Sequence, residues 1–242
     1  MAADYNTARF RRALSLIVDV VIPARDEILS LPMVLAELPR ALVRDVVVVD
    51  NGSRDGTGNA AASRGCLVVE EPRRGYGSAC LAGLAFLASR APLPDAVAFL
   101  DADHSDHADE LPSLLTPILE GRADLVVGSR SLGRREPGAL MPQQRFGNAL
   151  ASFMIRRLYG VVVTDLGPFR IIRWDALARL GMKDRDYGWT AEMQVKALKA
   201  GLRYAEVPVS YRKRAGKSKI AGTVRGSVGA GVKILSTIIR YA

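Results

Sequence analysis

A chain of 242 residues that is 49% hydrophobic has material for one substantial core and argues against several domains. Lys and Arg number 34 against 25 Asp and Glu, and the net charge of +9 suits an anionic partner: a nucleotide, a phosphate, an acidic membrane or a nucleic acid. Two cysteines, Cys66 and Cys80, cannot build a disulfide framework. Neither a leader-type apolar core near Met1 nor an uncharged apolar run of ~18 residues is present, so a cytoplasmic protein is expected, soluble or peripheral on the cytoplasmic membrane face.

The first half alternates strand-like and helix-like segments. Leu16 to Ile22 is a nearly all-apolar strand, and Ile28 to Leu42 reads as a helix with Ser30 and Pro32 near its start. Strands follow at Asp45–Val49, Leu67–Val69, Ala96–Leu100 and Ala123–Val127, separated by helices after Asp55 and over Ser78–Ser89 and Asp109–Leu119. Apolar strands spaced by helices predict an α/β fold, a mostly parallel sheet covered on both faces. In the second half, Phe146, Leu150, Phe153, Met154 and Leu158 give Pro142–Tyr159 a helical period. Trp189–Ala200 reads as a helix stopped by Gly201, and Arg203–Tyr211 as a strand. Lys219–Tyr241 reads as a basic amphipathic helix, interrupted by Gly222, Gly226, Gly229 and Gly231, that either packs on the sheet or lies in a membrane interface. The expected organisation is a tail over 1–15, one domain over 16–218 and a helical appendage of that domain over 219–242.

Ligands of open parallel sheets bind outside the carboxyl ends of the strands. Four consecutive predicted strand ends carry polar or glycine-rich sequence: Pro23-Ala24-Arg25-Asp26-Glu27, Asp50-Asn51-Gly52-Ser53-Arg54-Asp55-Gly56-Thr57, Pro72-Arg73-Arg74-Gly75-Tyr76-Gly77 and Asp101-Ala102-Asp103. The last is the most informative. Two carboxylates one residue apart, delivered by a buried strand, suit a hard divalent cation shared with substrate phosphates. Polar loops and helix caps explain one or two such ends, and Asp50 and Ser53 also suit helix capping, but four at one rim favour a site.

Together these motifs resemble the family 2 glycosyltransferases of the GT-A fold, over roughly Val18 to Lys219. The first loop is similar to that family's Pro-x-x-Asn-Glu, with Asp26 in place of Asn. The second is similar to Asp-Asp-Gly-Ser-x-Asp-Gly-Thr, with Asn51 in place of the second Asp. Asp101 and Asp103 resemble the family's metal-binding pair. The resemblance implies a nucleotide-sugar site of Pro23, Ala24, Arg25, Glu27, Asp50, Asn51, Ser53, Arg74, Asp101, Ala102, Asp103, Lys213 and Lys219, with Mg2+ or Mn2+ on the two acids. Gly167-Pro168-Phe169-Arg170 and Val207 to Lys219 resemble the polyprenyl-phosphate branch, which includes dolichyl-phosphate mannose and glucose synthases. Lys213 stands where the branch has Arg, Lys219 keeps its match, and Ser105 stands where the branch often has Gln.

By that resemblance, Arg130, Arg145 and Arg170 lie near acceptor phosphate, and a hexose passes with inversion from UDP-glucose or GDP-mannose to a polyprenyl phosphate. A hydroxyl acceptor instead needs a base, for which Glu192 and Asp165 are candidates; Glu192 equally suits the acidic first turn of a helix. Asp103, Glu192 and Arg130 are thus the expected catalytic set.

Rival readings are weaker. Gly75 to Cys80 imitates a dinucleotide fingerprint after the wrong strand. Asp101 to Pro112 has Asp106 and Pro112 where a calcium loop needs Gly and Glu, and His104 with His107 lacks the further ligands of a zinc site. A sugar nucleotidyltransferase needs a glycine-rich phosphate loop that is absent. A nucleic-acid-binding module fits the charge but leaves the acid pair unexplained.

Overall fold

The computed structural model describes residues 16–216 and 224–241, with backbone only for 224–228. One seven-stranded sheet runs in the order β3-β2-β1-β4-β6-β5-β7. Its strands are β1 (Val18–Ala24), β2 (Asp45–Asp50), β3 (Leu67–Glu70), β4 (Ala96–Phe99), β5 (Leu125–Ser129), β6 (Arg170–Arg173) and β7 (Tyr204–Pro208). Only β6 is reversed, pairing antiparallel with β4 and with β5. The fold is therefore α/β with a mostly parallel sheet, as the strand patterning predicts.

The eight α-helices among the described residues are α1 (Leu31–Glu37), α2 (Thr57–Ala62), α3 (Tyr76–Ala88), α4 (Leu111–Leu119), α5 (Pro142–Tyr159), α6 (Trp174–Leu180), α7 (Trp189–Lys199) and α8 (Val224–Tyr241). Strand alternation sorts side chains between two cores. Val20, Ile22, Val46 and Val48 join Leu31, Val34, Leu111 and Leu114 on one face. Val21, Val47 and Val49 join Cys80, Leu87, Leu177 and Trp189 on the other. Gly83 lets α3 lie close to the sheet, since a Cβ there would come within 2.7 Å of Val21. A third cluster, with Ala151, Ile155, Val195 and Ile238 at its centre, joins α5, α7 and α8.

Several boundaries differ from the sequence reading. The helix expected over 28–42 is α1 plus a separate 3-10 turn at Arg40–Leu42, because Pro39 cannot continue the helix. The strand expected over 203–211 ends at Pro208, and strand β6 and helix α6 carry no period long enough to read. The C-terminal helix packs against α5 and α7, with Ile238 fully buried, so it is a packed element of the domain. Its predicted start over 219–223 and the predicted tail over 1–15 lie outside the described residues. No helix among the described residues is long and apolar enough to cross a membrane.

Candidate active site

Backbone–side-chain bonds stitch the first two rim loops together. Asp26 N–H donates to Ser53 Oγ (3.0 Å), Arg54 N–H to Asp26 Oδ1 (2.7 Å) and Glu27 N–H to Thr57 Oγ1 (2.8 Å). Asp55 receives Ile28 N–H on one oxygen and Thr57 N–H and Oγ1–H on the other. Burial works against its charge, but those donors outweigh it and hold its carboxyl below the ordinary range. Asp50 accepts Ser53 N–H at 2.7 Å and rests over α2, where a Cβ on Gly58 would meet it at 2.8 Å.

The substitution at Asn51 has a physical reason. Its amide donates to the carbonyls of Glu71 and Arg73 (both 2.8 Å) and accepts Gly75 N–H at 2.9 Å, which ties the third loop to the second. A carboxylate could accept but not donate. Asn51→Asp is therefore expected to lower stability by about 1–3 kcal/mol, because a buried carboxylate would face two carbonyl oxygens with no proton to donate. Denaturant melts at pH 8 check this, and an unchanged midpoint would dismiss the role. Gly75 and Gly77 face the backbone of the 184–185 segment, where a Cβ on either would come within 2.1 Å of a carbonyl oxygen. That close approach accounts for the fingerprint-like glycines.

These contacts shape a cavity of about 220 Å³ lined by Pro23, Ala24, Arg25, Glu27, Asn51, Asp101, Ala102 and Asp103, all expected from sequence. Gly75, Tyr76, Ala79, Asp186, Tyr187 and Arg214 complete the wall; Gly75 and Tyr76 belong to the third rim loop and Arg214 to the basic segment after Pro208, while Ala79, Asp186 and Tyr187 were not expected. Ligand pockets commonly measure about 300–1,000 Å³. Arg214 is part of this wall and joins two of its acids, 3.0 Å from Glu27 Oε1 and 3.3 Å from Asp103 Oδ2.

The acid pair is asymmetric. Asp103 Oδ1 accepts from the backbone and hydroxyl of Ser105 (2.9 and 2.5 Å), so Ser105 orients this carboxylate. Asp101 Oδ1 is buried with no hydrogen-bond partner among the described residues. Burial, with the charge of Asp103 second, lifts its carboxyl to about 7. Asp106 is a third acid that the sequence reading passed over. Burial, and next the charge of Asp101, push it well above the carboxylate range, and both its oxygens lack partners among the described residues. The only available signal was its place three residues after Asp103.

A second cavity continues from the acid pair past Arg130, Gly138, Gln144, Tyr211 and Lys213. A third, mostly apolar, cavity shares Arg130, Gln144, Leu166, Ala230 and Ile234 with it and extends between α5 and α8 along Gly147 and Ala151. Arg130 sits at the junction, its guanidinium held by Asp165 (2.6 and 2.8 Å) and 5.1 Å from the centre of the Tyr211 ring.

Several expected site residues lie elsewhere. Asp50 and Ser53 brace the loops behind the first cavity, and Arg74 is exposed beyond it. Arg145 is exposed on α5 and lines none of the three cavities. Arg170 is fully buried and donates to the carbonyls of Leu166, Gly167 and Thr190, so it braces the wall and is closed to an acceptor. Asp165 is committed to Arg130. Glu192 is fully buried, receiving the backbone N–H groups of Lys183 and Asp184 and pairing with Lys196 at 2.6 Å, so it lacks the access a base needs. Lys219 lies outside the described residues.

Asp101 and Asp103 stand at the carboxyl rim of a mostly parallel sheet, with Arg214 drawn to Asp103, an arrangement able to receive a cation and a phosphorylated group. Residues 19–181 match the model of glycosyl transferase family 2, and the chain belongs to that family. It is 43% identical over 213 residues to an uncharacterized glycosyltransferase of Mycobacterium tuberculosis, covering 87% of this chain and 93% of that one. It is 32% identical over 225 residues to the undecaprenyl-phosphate mannosyltransferase of Micrococcus luteus, covering 85% and 88%. Among solved structures, the M. tuberculosis glucosyl-3-phosphoglycerate synthase with Mn2+, UDP and glucosyl-3-phosphoglycerate superposes with TM-score 0.74 at 21% identity, over 96% of this chain and 82% of that one. That likeness shows the shared GT-A fold.

Proposed function

We propose that this glycosyltransferase moves a hexose, with inversion, from a nucleoside diphosphate sugar (UDP-glucose or GDP-mannose) to a polyprenyl-phosphate-type acceptor. The observation that carries the reading is the continuous path from Asp101 and Asp103, past the cations of Arg130 and Lys213, into an apolar cavity between α5 and α8. That order matches a phosphate with an apolar tail. The mannosyltransferase relative from M. luteus supports it.

Asp101 and Asp103 would hold Mg2+ or Mn2+. The fit rests on the unpartnered, buried oxygen of Asp101 and on Arg214, a cation already drawn to Asp103. When bound, a divalent ion offsets the charge that develops on a departing nucleoside diphosphate. The chain's own residues supply the rest. Pro23, Arg25, Glu27 and Asn51 shape the pocket for base and ribose, and Asn51 holds the third loop closed against it. Arg130, fixed by Asp165, and the mobile-stemmed Lys213 offer positive charge to the acceptor. A phosphate monoester, with its second pKa near ~6, is already nucleophilic at neutral pH. The engagement of both Asp165 and Glu192 elsewhere supports this acceptor over a hydroxyl, which would need a free base.

The test supplies labelled UDP-glucose or GDP-mannose with Mn2+, with or without undecaprenyl phosphate. Label is expected in the lipid phase. Label found only in free sugar, or only on an added soluble acceptor such as 3-phosphoglycerate, would reject the acceptor assignment. Lys213→Ala is expected to raise the KM for the lipid acceptor about tenfold, through loss of one charge-assisted contact, with a smaller effect on donor KM. An equal rise in both would place Lys213 on the donor instead.

A further inference from the structure

Helix α5 carries an exposed face that its packing leaves uncovered. Ala151 and Ile155 are buried against α7 and α8. On the opposite side, Phe146 and Phe153 are 71% and 60% exposed, and Arg157 follows at i+11 from Phe146 on the same stripe. Arg145 and Arg156 run along one edge of that stripe and are exposed as well. The helix contains no Asp or Glu, and its three arginines form no ion pair among the described residues. Two bare phenylalanines are costly to leave in water, and an uncompensated row of guanidiniums favours an anionic partner.

We propose that α5 is the face by which this protein lies on an anionic lipid surface. Phenylalanines beside arginines are the composition of helices that rest in the plane of a bilayer interface, the rings entering the acyl boundary and the cations remaining with the headgroups. The C-terminal helix, the element that the sequence alone suggested for this contact, is instead occupied by packing on α5 and α7. The adjoining side of α5, at Gly147 and Ala151, borders the apolar cavity. A bilayer on this helix therefore lies beside the path toward Arg130. The inference rests on the surface chemistry of α5 and not on the acceptor reading, so it stands or falls without any transfer assay.

Co-sedimentation of the full chain with vesicles provides the test. Wild-type protein is expected to pellet with vesicles of phosphatidylcholine and phosphatidylglycerol, and far less with phosphatidylcholine alone. Phe146→Ser with Phe153→Ser, and separately Arg156→Glu with Arg157→Glu, are each expected to weaken binding at least about tenfold. All four positions are exposed, and thermal melts matching wild type would verify folding. The proposal is overturned by no binding by wild type, by undiminished binding by both pairs, or by loss only on changing Val232 and Ile239 of α8. A wild-type dimer that Phe146→Ser with Phe153→Ser converts to monomer would also overturn it, assigning the face to a second copy of the chain.

Discussion

Asp101→Asn is expected to stabilise the substrate-free protein at pH 8 while reducing glycosyl transfer by at least about a thousandfold. Both effects have one origin. In the folded chain Asp101 titrates near 7, raised first by burial and then by Asp103. An unfolded Asp titrates near ~4. Between those values the folded state holds a proton that the unfolded state has lost, so stability declines as pH rises from about 4 to 7 and stays low above. The neutral amide escapes this penalty. At pH 8 the variant should gain about 1–3 kcal/mol, or several degrees in a chain of this size, and near pH 4 the difference should vanish. Scanning fluorimetry at both pH values measures it. Mn2+ should raise the melting temperature of wild type at pH 8 and leave the variant nearly unmoved. Equal stability at pH 8, or an undiminished Mn2+ response, would show that the buried charge of Asp101 is not the strained element.

Much of this was legible because apolar runs ending in carboxylates are hard to read as anything but buried strands. The patterns at Val18–Ala24, Asp45–Asp50 and Ala96–Phe99 lead straight to the rim, and residues following them line the cavity at the acid pair. Strand β6 was not legible. Arg-Ile-Ile-Arg is four residues with a charge at each end, and its place between β4 and β5 is decided by pairing, which no local pattern encodes. The same reason explains the cationic segment after β7. Sequence matched Lys213, flanked by Arg212 and Arg214, to the nucleotide sugar. Bonds from Arg212 N–H to Ser105 O and from Ala215 N–H to Asp103 O fix the backbone instead. Arg212 then turns to Glu37 and His104 O, Lys213 to the cavity beside Gly138, and Arg214 to Glu27 and Asp103. Which of three adjacent cations meets the acid pair is thus a tertiary fact.

The second large effect is expected at Glu192, which the resemblance suggested as a base and the structure makes a brace. Its carboxylate receives Lys183 N–H at 2.9 Å, Asp184 N–H at 2.6 Å and the Tyr241 hydroxyl at 3.0 Å, beside the Lys196 ammonium. The segment it holds runs directly into Asp186 and Tyr187 of the donor cavity, and Arg185 O accepts Ser78 N–H at the start of α3. A second tie, Lys233 to Asp184 at 2.9 Å, fastens α8 to the same segment. Glu192→Ala would leave buried donors and a cation without their acceptor, a loss of about 3–5 kcal/mol. Glu192→Gln keeps one acceptor oxygen but sets an NH2 against N–H donors, and should cost less, about 1–3 kcal/mol. The kinetic signature separates brace from base. A base variant would fold normally, bind donor normally and lose turnover with an altered pH profile. A brace variant should melt earlier and show a raised donor KM, with a larger share of kcat retained at temperatures where it is folded and with an unchanged pH dependence. A Glu192→Gln protein with wild-type melting and donor KM but no turnover would restore Glu192 to catalysis. That result would also weaken the case for a phosphate acceptor, since a required base implies a hydroxyl nucleophile.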